Sequence, residues 1–119
     1  SAMNLGKTGT GGERAAEDYL KRRGYRVLAR NYYTRYGELD LVVCREGYIV
    51  FVEVKTRAAG SLVPLEQTVT RAKLTRLYRA ACLYLEAAPS ELQPRFDFIG
   101  VTCCDGRYTV EQHLENILS

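Results

Sequence analysis

The run Tyr48-Ile49-Val50-Phe51-Val52 puts five apolar residues in a row. A strand points successive side chains to opposite faces, so a run of this kind buries both of them. It belongs inside a sheet that is covered above and below, which calls for helices on both sides. The run leads straight into Glu53 and Lys55, with Val54 between them. The apolar stretch before it, Leu39 to Val43, is interrupted by Asp40. Burying a charge without compensation is costly, so these three residues require a reason beyond packing.

The flanking sequence supplies the rest of such a sheet. Glu13 to Arg23 carries Ala16, Tyr19, Leu20 and Arg23 at helical spacing, and Gly24 is a natural stop. This spacing turns Glu13 toward the core as well. Strands are expected over Tyr25–Tyr33, Glu38–Cys44 and Tyr48–Lys55, joined by turns at Tyr36-Gly37 and Glu46-Gly47. Thr70 is a good N-cap for a long helix to about Ala87, with Leu74, Leu77, Tyr78, Ala81, Tyr84, Leu85 and Ala88 as its apolar stripe. Pro89 ends it. Strands over Arg95–Cys103 and Arg107–Gln112 follow, with Asp105-Gly106 as their hairpin turn, and Leu114–Leu118 is expected to add a last helical turn. The order αβββαββ defines an α/β fold with a mixed central sheet. The strands on either side of the long helix are joined by a crossover and run parallel.

The chain of 119 residues suits one domain. We assign it to residues 12–119, with residues 1–11 as a flexible glycine-rich segment in which Ser1-Ala2 reads as a cloning scar. The Gly-Lys pair at 6–7 is no P-loop, because neither the GxxxxG spacing nor a leading strand is there. No apolar stretch approaches the ~18 residues of a membrane span, and a cytoplasmic location is expected. Cys44, Cys82, Cys103 and Cys104 form no CxxC pair and have only His113 for company, so reduced structural thiols are expected in place of zinc. His113 is expected to be a surface or packing residue. The net charge is +3, but its placement matters more. Up to Arg35, eight basic residues face only Glu13, Glu17 and Asp18, and a second cluster combines Arg71, Lys73, Arg76 and Arg79. A polyanionic partner or a solvated basic face both account for this pattern.

Alternation puts Glu53 and Lys55 on one face with Ile49 and Phe51, and Asp40 on one face with Glu38 and Val42. If the Glu46-Gly47 turn closes tightly, Asp40 lies opposite Glu53. Two adjacent carboxylates repel, and a divalent cation removes the difficulty. Mg²⁺ is commonly held by one or two carboxylates plus water and phosphate oxygens. Lys55 is placed to orient or deprotonate an attacking water, or to stabilise phosphate charge. As plain structure, the same residues could form a surface ion pair and a turn cap.

The stretches GERAAEDYLKRRGYRVLARN, GELDLVV, FVEVKTR, VTRAKLTRLYRAACLYL and RFDFIGV, in this order over residues 12–101, resemble the PD-(D/E)xK nuclease superfamily. This group has a restriction-endonuclease-like fold and includes Holliday-junction resolvases. They are most similar to the YraN family of uncharacterised bacterial proteins. The resemblance implies that Asp40 and Glu53 are metal ligands for Mg²⁺ or Mn²⁺, that Lys55 is the catalytic lysine, and that Glu13 is the first-helix acid. It implies a basic or amide residue on the second helix, a place that fits Lys73, with Gln67 the weaker candidate. The superfamily's usual proline before the aspartate is replaced by Leu39. The activity implied is phosphodiester hydrolysis on DNA, branched DNA included, with Arg14, Arg35, Arg57 and Lys73 as phosphate contacts. The alternative is a non-catalytic module that binds nucleic acid or protein. Resolvase-like members work as symmetric dimers, so a homodimer is implied too.

Overall fold

In the computed structural model, which describes residues 10–118, the apolar run opens the central strand of a five-stranded sheet. Helix α1 spans Thr10–Arg22, followed by β1 (Arg26–Thr34), β2 (Gly37–Arg45) and β3 (Tyr48–Ala58). A single turn, α2 (Leu65–Thr68), precedes α3 (Arg71–Ala87), and β4 (Gln93–Cys104) and β5 (Arg107–Leu114) complete the sheet. The strands lie in sequence order, β1-β2-β3-β4-β5. Only β3 and β4 run parallel, because α3 carries the chain back across the sheet between them. The fold is therefore α/β, with a mixed sheet flanked by helices in the manner of restriction endonucleases.

The turns follow local chemistry. Glu46 and Gly47 both adopt positive φ (49° and 88°), as do Asp105 and Gly106 (51° and 76°). These are two-residue hairpin turns whose twist matches that of the strands they join. The Thr70 hydroxyl caps α3 by accepting from the Lys73 N–H at 3.2 Å.

Two cores form, one on each face. Against α3, the sheet presents Leu39, Val42, Ile49, Phe51, Phe96 and Phe98 to Leu77, Ala80, Ala81 and Tyr84. Against α1, it presents Leu41, Val43, Val50, Val52, Ile99 and Val101 to Ala16 and Leu20. Four residues of the run, Ile49, Val50, Phe51 and Val52, thus bury both faces of β3, while Tyr48 at its start is exposed. Tyr78, expected in the apolar stripe of α3, is 54% exposed instead.

Three expectations need correction. Helix α1 begins at Thr10, not Glu13, and takes in Gly11 and Gly12. Residues 10 and 11 are thus helical, and the remainder of the segment expected to be flexible, residues 1–9, lies outside the described residues. The tail after Leu114 is not a helical turn. Its amides are taken by β4: Ile117 N–H donates to the Phe96 carbonyl at 2.8 Å, and Asn116 N–H to Asp97 Oδ1 at 3.0 Å. The face assignment of β2 also breaks at Asp40. Leu39 packs toward α3 and Leu41 toward α1, although strict alternation would give them one face.

Asp97 is the one fully buried charged residue among those described. Arg95 clasps it with Nε to Oδ1 at 3.0 Å and Nη2 to Oδ2 at 2.8 Å, and His113 Nε2 donates to Oδ2 at 2.7 Å. With Nε2 carrying the proton, Nδ1 of His113 accepts from the Tyr19 hydroxyl at 3.1 Å. His113 is therefore the packing residue of the two alternatives read from sequence. Burial alone would raise the Asp97 carboxyl, but the bonds from His113, Arg95 and Asn116 win and hold it below its ordinary value. Replacing Asp97 with Ala leaves the Arg95 guanidinium without its carboxylate and the His113 Nε2–H and Asn116 N–H without an acceptor. We expect Asp97→Ala to lose about 3–5 kcal/mol in urea unfolding. A loss below about 1 kcal/mol would show that the network contributes little.

Candidate active site

The β1–β2 ladder skips one rung. Arg30 pairs with Leu41 and Tyr32 with Leu39, but Asn31 and Asp40 between them do not pair. Asn31 has φ 47°, a left-handed conformation that asparagine tolerates better than most residues. That twist turns both strands and explains the change of face in β2. Asp40, released from the ladder, sends its carboxylate into the gap where β2 and β3 part. The β2–β3 ladder ends at Leu41–Val52; there, Asp40 Oδ2 accepts the N–H of Val54 at 2.8 Å. One further step of the register sets Asp40 against Glu53.

On the other side of the gap, Asn31 Nδ2 donates to Glu13 Oε1 at 2.8 Å. Glu13 reaches this position because α1 lies almost on β3. A Cβ added to Gly12 would collide with the Thr56 hydroxyl, so only glycine allows the approach.

Glu13, Glu38, Asp40, Glu53 and Lys55 line one open cleft of about 880 Å³. Lys73 and Arg76 of α3 form one wall, and Arg57 and Tyr108 stand at another. The structure thus brings together all four residues expected to act, Glu13, Asp40, Glu53 and Lys55, with two of the four expected phosphate contacts, Arg57 and Lys73. The other two lie apart. Arg14 lines a neighbouring depression that shares Glu13 and Asp40, and Arg35 sits at the β1–β2 turn just before Gly37, which is part of the cleft. Gln67, in α2, does not reach the cleft. The basic cluster of α3 divides as well, since Arg71 borders a separate groove with Tyr48 and Tyr78.

The electrostatics follow from burial. The Asp40 carboxyl is pushed up to about 8, mostly by desolvation; the Val54 N–H opposes this, and Glu53, Glu13 and Glu38 add to it. Glu53 is raised by burial too, with Lys73, Arg76 and Lys55 pulling it back and Glu38 pushing it further up. Glu13 is raised by burial, relieved by the Asn31 bond, raised by Glu38 and relieved by a bond to Asp40. Two buried polar side-chain atoms among the described residues have no partner, Glu38 Oε2 and Arg57 Nε, and both residues line this cleft.

A divalent ion fits this donor set in one specific way. No group of three or more His, Cys, Asp or Glu side chains among the described residues is arranged to hold a metal. An ion here would rest on the pair Asp40 and Glu53, with oxygen from water, backbone or phosphate completing its shell. That arrangement suits Mg²⁺ and Mn²⁺, which keep several such ligands. Carboxyls that would rather hold protons also gain most from a cation.

Asn31, Glu38 and Tyr108 carried no sequence signal as site residues, whereas Arg76 belonged to the basic cluster read on the long helix. The pairing of β1 with β2 brings in Asn31 and Glu38, and the pairing of β5 with β4 brings in Tyr108.

Elsewhere, two basic residues of the N-terminal third are paired with one acid. Glu17 takes Arg30 through Nε and Nη2 at 2.7 and 2.6 Å, and Lys21 at 2.9 Å. All four cysteines are free thiols. Among the described residues, no helix is long and apolar enough to cross a membrane.

Residues 12–101 match the model of a family described as "Uncharacterised protein family UPF0102". A UPF0102 protein of Syntrophomonas wolfei is 42% identical over 109 residues, covering 91% of this chain and 94% of that protein. One from Carboxydothermus hydrogenoformans is 39% identical and covers 98% of each. One from Mycobacterium avium is 43% identical, covering 98% of this chain and 94% of its own. With a matching family model and relatives of this identity over nearly its whole length, the chain belongs to the UPF0102 family of bacterial proteins.

Proposed function

We propose that the chain is a Mg²⁺- or Mn²⁺-dependent endonuclease that hydrolyses phosphodiester bonds in DNA, branched DNA included. The observation that supports this best is the meeting of Asp40, Glu53 and Lys55 in one cleft whose walls are basic. Asp40 and Glu53 would hold the ion, which supplies positive charge to a phosphate oxygen and acidity to an attacking water. Lys55, on the same face of β3 as Glu53, orients that water and offsets charge on the phosphate. Glu13, fixed by Asn31, adds a carboxyl in reach of Asp40. Lys73, Arg76 and Arg57 bind and position the strand. The unpartnered Nε of Arg57 is a buried donor, and a phosphate oxygen would satisfy it.

Substitutions separate this from a merely structural arrangement. Asp40→Asn keeps the Val54 hydrogen bond but removes a charge. We expect it to abolish the Mn²⁺-induced rise in melting temperature together with cleavage of labelled linear, nicked, flapped and four-way-junction DNA. Lys55→Ala should keep the Mn²⁺ shift yet cut at least about a hundredfold more slowly. If millimolar Mn²⁺ leaves the parent's melt unmoved and no DNA in the panel is cut, the non-catalytic binding module takes this reading's place.

Stability in the absence of metal should depend on pH with a definite sign. The folded Asp40 carboxyl holds its proton far above the ordinary 3.8. The folded state therefore binds more protons than the unfolded state across that interval. Its contribution is full below 3.8 and is lost as pH rises toward about 8. Between those limits the metal-free parent should lose several degrees of melting temperature relative to Asp40→Asn. Parallel curves for the two proteins would mean that Asp40 ionises freely.

Binding should also respond to salt through the walls of the cleft. Replacing Lys73 and Arg76 by Ala should weaken metal-free DNA binding and lower the slope of log affinity against log salt by about two. An unchanged slope would assign both residues to solvent.

A further inference from the structure

The tip of the β1–β2 hairpin stands beside the cleft and has a composition that neither the metal pair nor the basic walls require. Tyr33 is 55% exposed and pairs across the ladder with Glu38, a lining residue. Tyr32, its neighbour, packs edge-on against Tyr84 toward α3, so Tyr33 turns outward on the opposite face. Three residues on, Tyr36 has the Arg35 guanidinium 4.8 Å and the Arg79 guanidinium 5.5 Å from its ring centroid. Arg79 continues the row that Lys73 and Arg76 begin on α3, one turn further along. The tip itself is held rigid: Thr34 Oγ1 donates to the Gly37 carbonyl at 2.7 Å and accepts the Tyr36 N–H at 3.1 Å.

An exposed tyrosine on its own means little, since apolar atoms cover much of any protein surface. What stands out here is the interleaving. Arg35, Tyr36 and Arg79 make one set of ring and guanidinium planes on the α3 side of the hairpin, and Tyr33 exposes a second ring on its other side, across the ladder from Glu38. Nucleic-acid bases stack on such planes whatever their sequence, but only when they are not already stacked within a duplex. Phosphates of the same strand would then follow the lysine and arginine row into the cleft.

We propose that the β1–β2 hairpin tip is a base-stacking platform, and that the cleft takes a DNA strand whose bases next to the attacked phosphate are unpaired, as in a single strand or a flap. This rests on the nuclease reading and narrows its substrate class. Tyr33 and Tyr36 bind the bases, and Arg35 and Arg79 hold Tyr36 and extend the stack.

The test is fluorescence anisotropy of the full chain with labelled oligothymidylate and with a blunt duplex of equal length, in EDTA so that nothing is cut. The single strand should bind tighter. Tyr33→Ala and Tyr36→Ala should each weaken it by about tenfold and leave duplex binding unchanged. Tyr33→Phe and Tyr36→Phe keep the ring and should restore parental affinity, which separates stacking from any loss of fold. Equal affinity for duplex and single strand overturns the proposal. So does an unchanged affinity in the Ala variants, an equal loss on both DNAs, or no binding to either. Cleavage with Mn²⁺ is scored separately. A chain that cuts duplex as readily as single strand keeps the nuclease reading and loses this one. Tyrosine-dependent single-strand binding without cleavage does the reverse.

Discussion

One hydrogen bond organises the candidate site, that from the Val54 amide to the Asp40 carboxylate. In an unbroken sheet that amide would find a backbone carbonyl. Here an ionisable side chain takes the carbonyl's place, in a location that desolvates it. The substitution is possible only because the rung between Asn31 and Asp40 is missing, and the rung is missing because Asn31 takes a left-handed conformation. The same twist aims the Asn31 amide at Glu13. The left-handed residue thus lies at the rung that one acid has left, and it orients another acid through its amide. Breaking the ladder costs backbone hydrogen bonds. The side chains of Asp40 and Asn31 return two of them, so the defect is stable enough to be kept.

Charge is balanced across this gap and not within it. The carboxyls crowd together, and each is harder to ionise because of burial and of its neighbours. Their compensation comes from a different layer: Lys73 and Arg76 reach down from α3 and favour the ionised form of Glu53. Asp97 shows the contrasting solution on the same sheet. It is more deeply buried than any of the acids in the cleft, yet Arg95, His113 and Asn116 satisfy it within the fold, and its carboxyl is held low. One buried acid is closed by protein donors. The acids of the cleft have fewer: Asp40 takes one backbone amide and Glu13 one side-chain amide, and burial holds both carboxyls high. That difference, more than burial, separates a carboxyl held low from carboxyls held high on one sheet.

Reading the sequence reached the parts of this arrangement that depend on period and turn chemistry. Two-residue alternation put Glu53 and Lys55 on one face of β3, and the Glu46-Gly47 turn set the register that brings Asp40 level with Glu53. Helical spacing turned Glu13 inward. The misses have equally specific causes. Gly11 and Gly12 read as breakers, and so the helix was expected to begin at Glu13, because helix propensity says nothing of a close approach to Thr56 that only glycine permits. Alternation failed at Asp40 because no residue type announces a ladder defect, and asparagine is common in ordinary strand ends and turns. The tail after Leu114 carried helix-compatible residues, but β4 offered its amides a carbonyl and a carboxylate, and tertiary partners outweigh weak local preference.

The position of the site along β3 follows from the apolar run that fixes the strand. Ile49 to Val52 is covered on both faces, and charge is excluded there. Past Val52 the strand is only half-buried: α1 has reached its first turn at Gly12 and Glu13, and α3 presents its own first turns through Lys73 and Arg76. Both helices begin at this end of the sheet. Their leading residues are therefore the ones that meet the exposed end of β3, and on α1 and α3 those residues are charged. The parallel pairing of β3 with β4 is what makes this so. A crossover helix must start near the C-terminal end of the strand it leaves, and the polar end of β3 thus comes to lie under the start of α3. The apolar start of the strand and the charged end are two halves of one constraint, with the first half burying the strand and the second placing its acids where two helices converge and solvent can still enter.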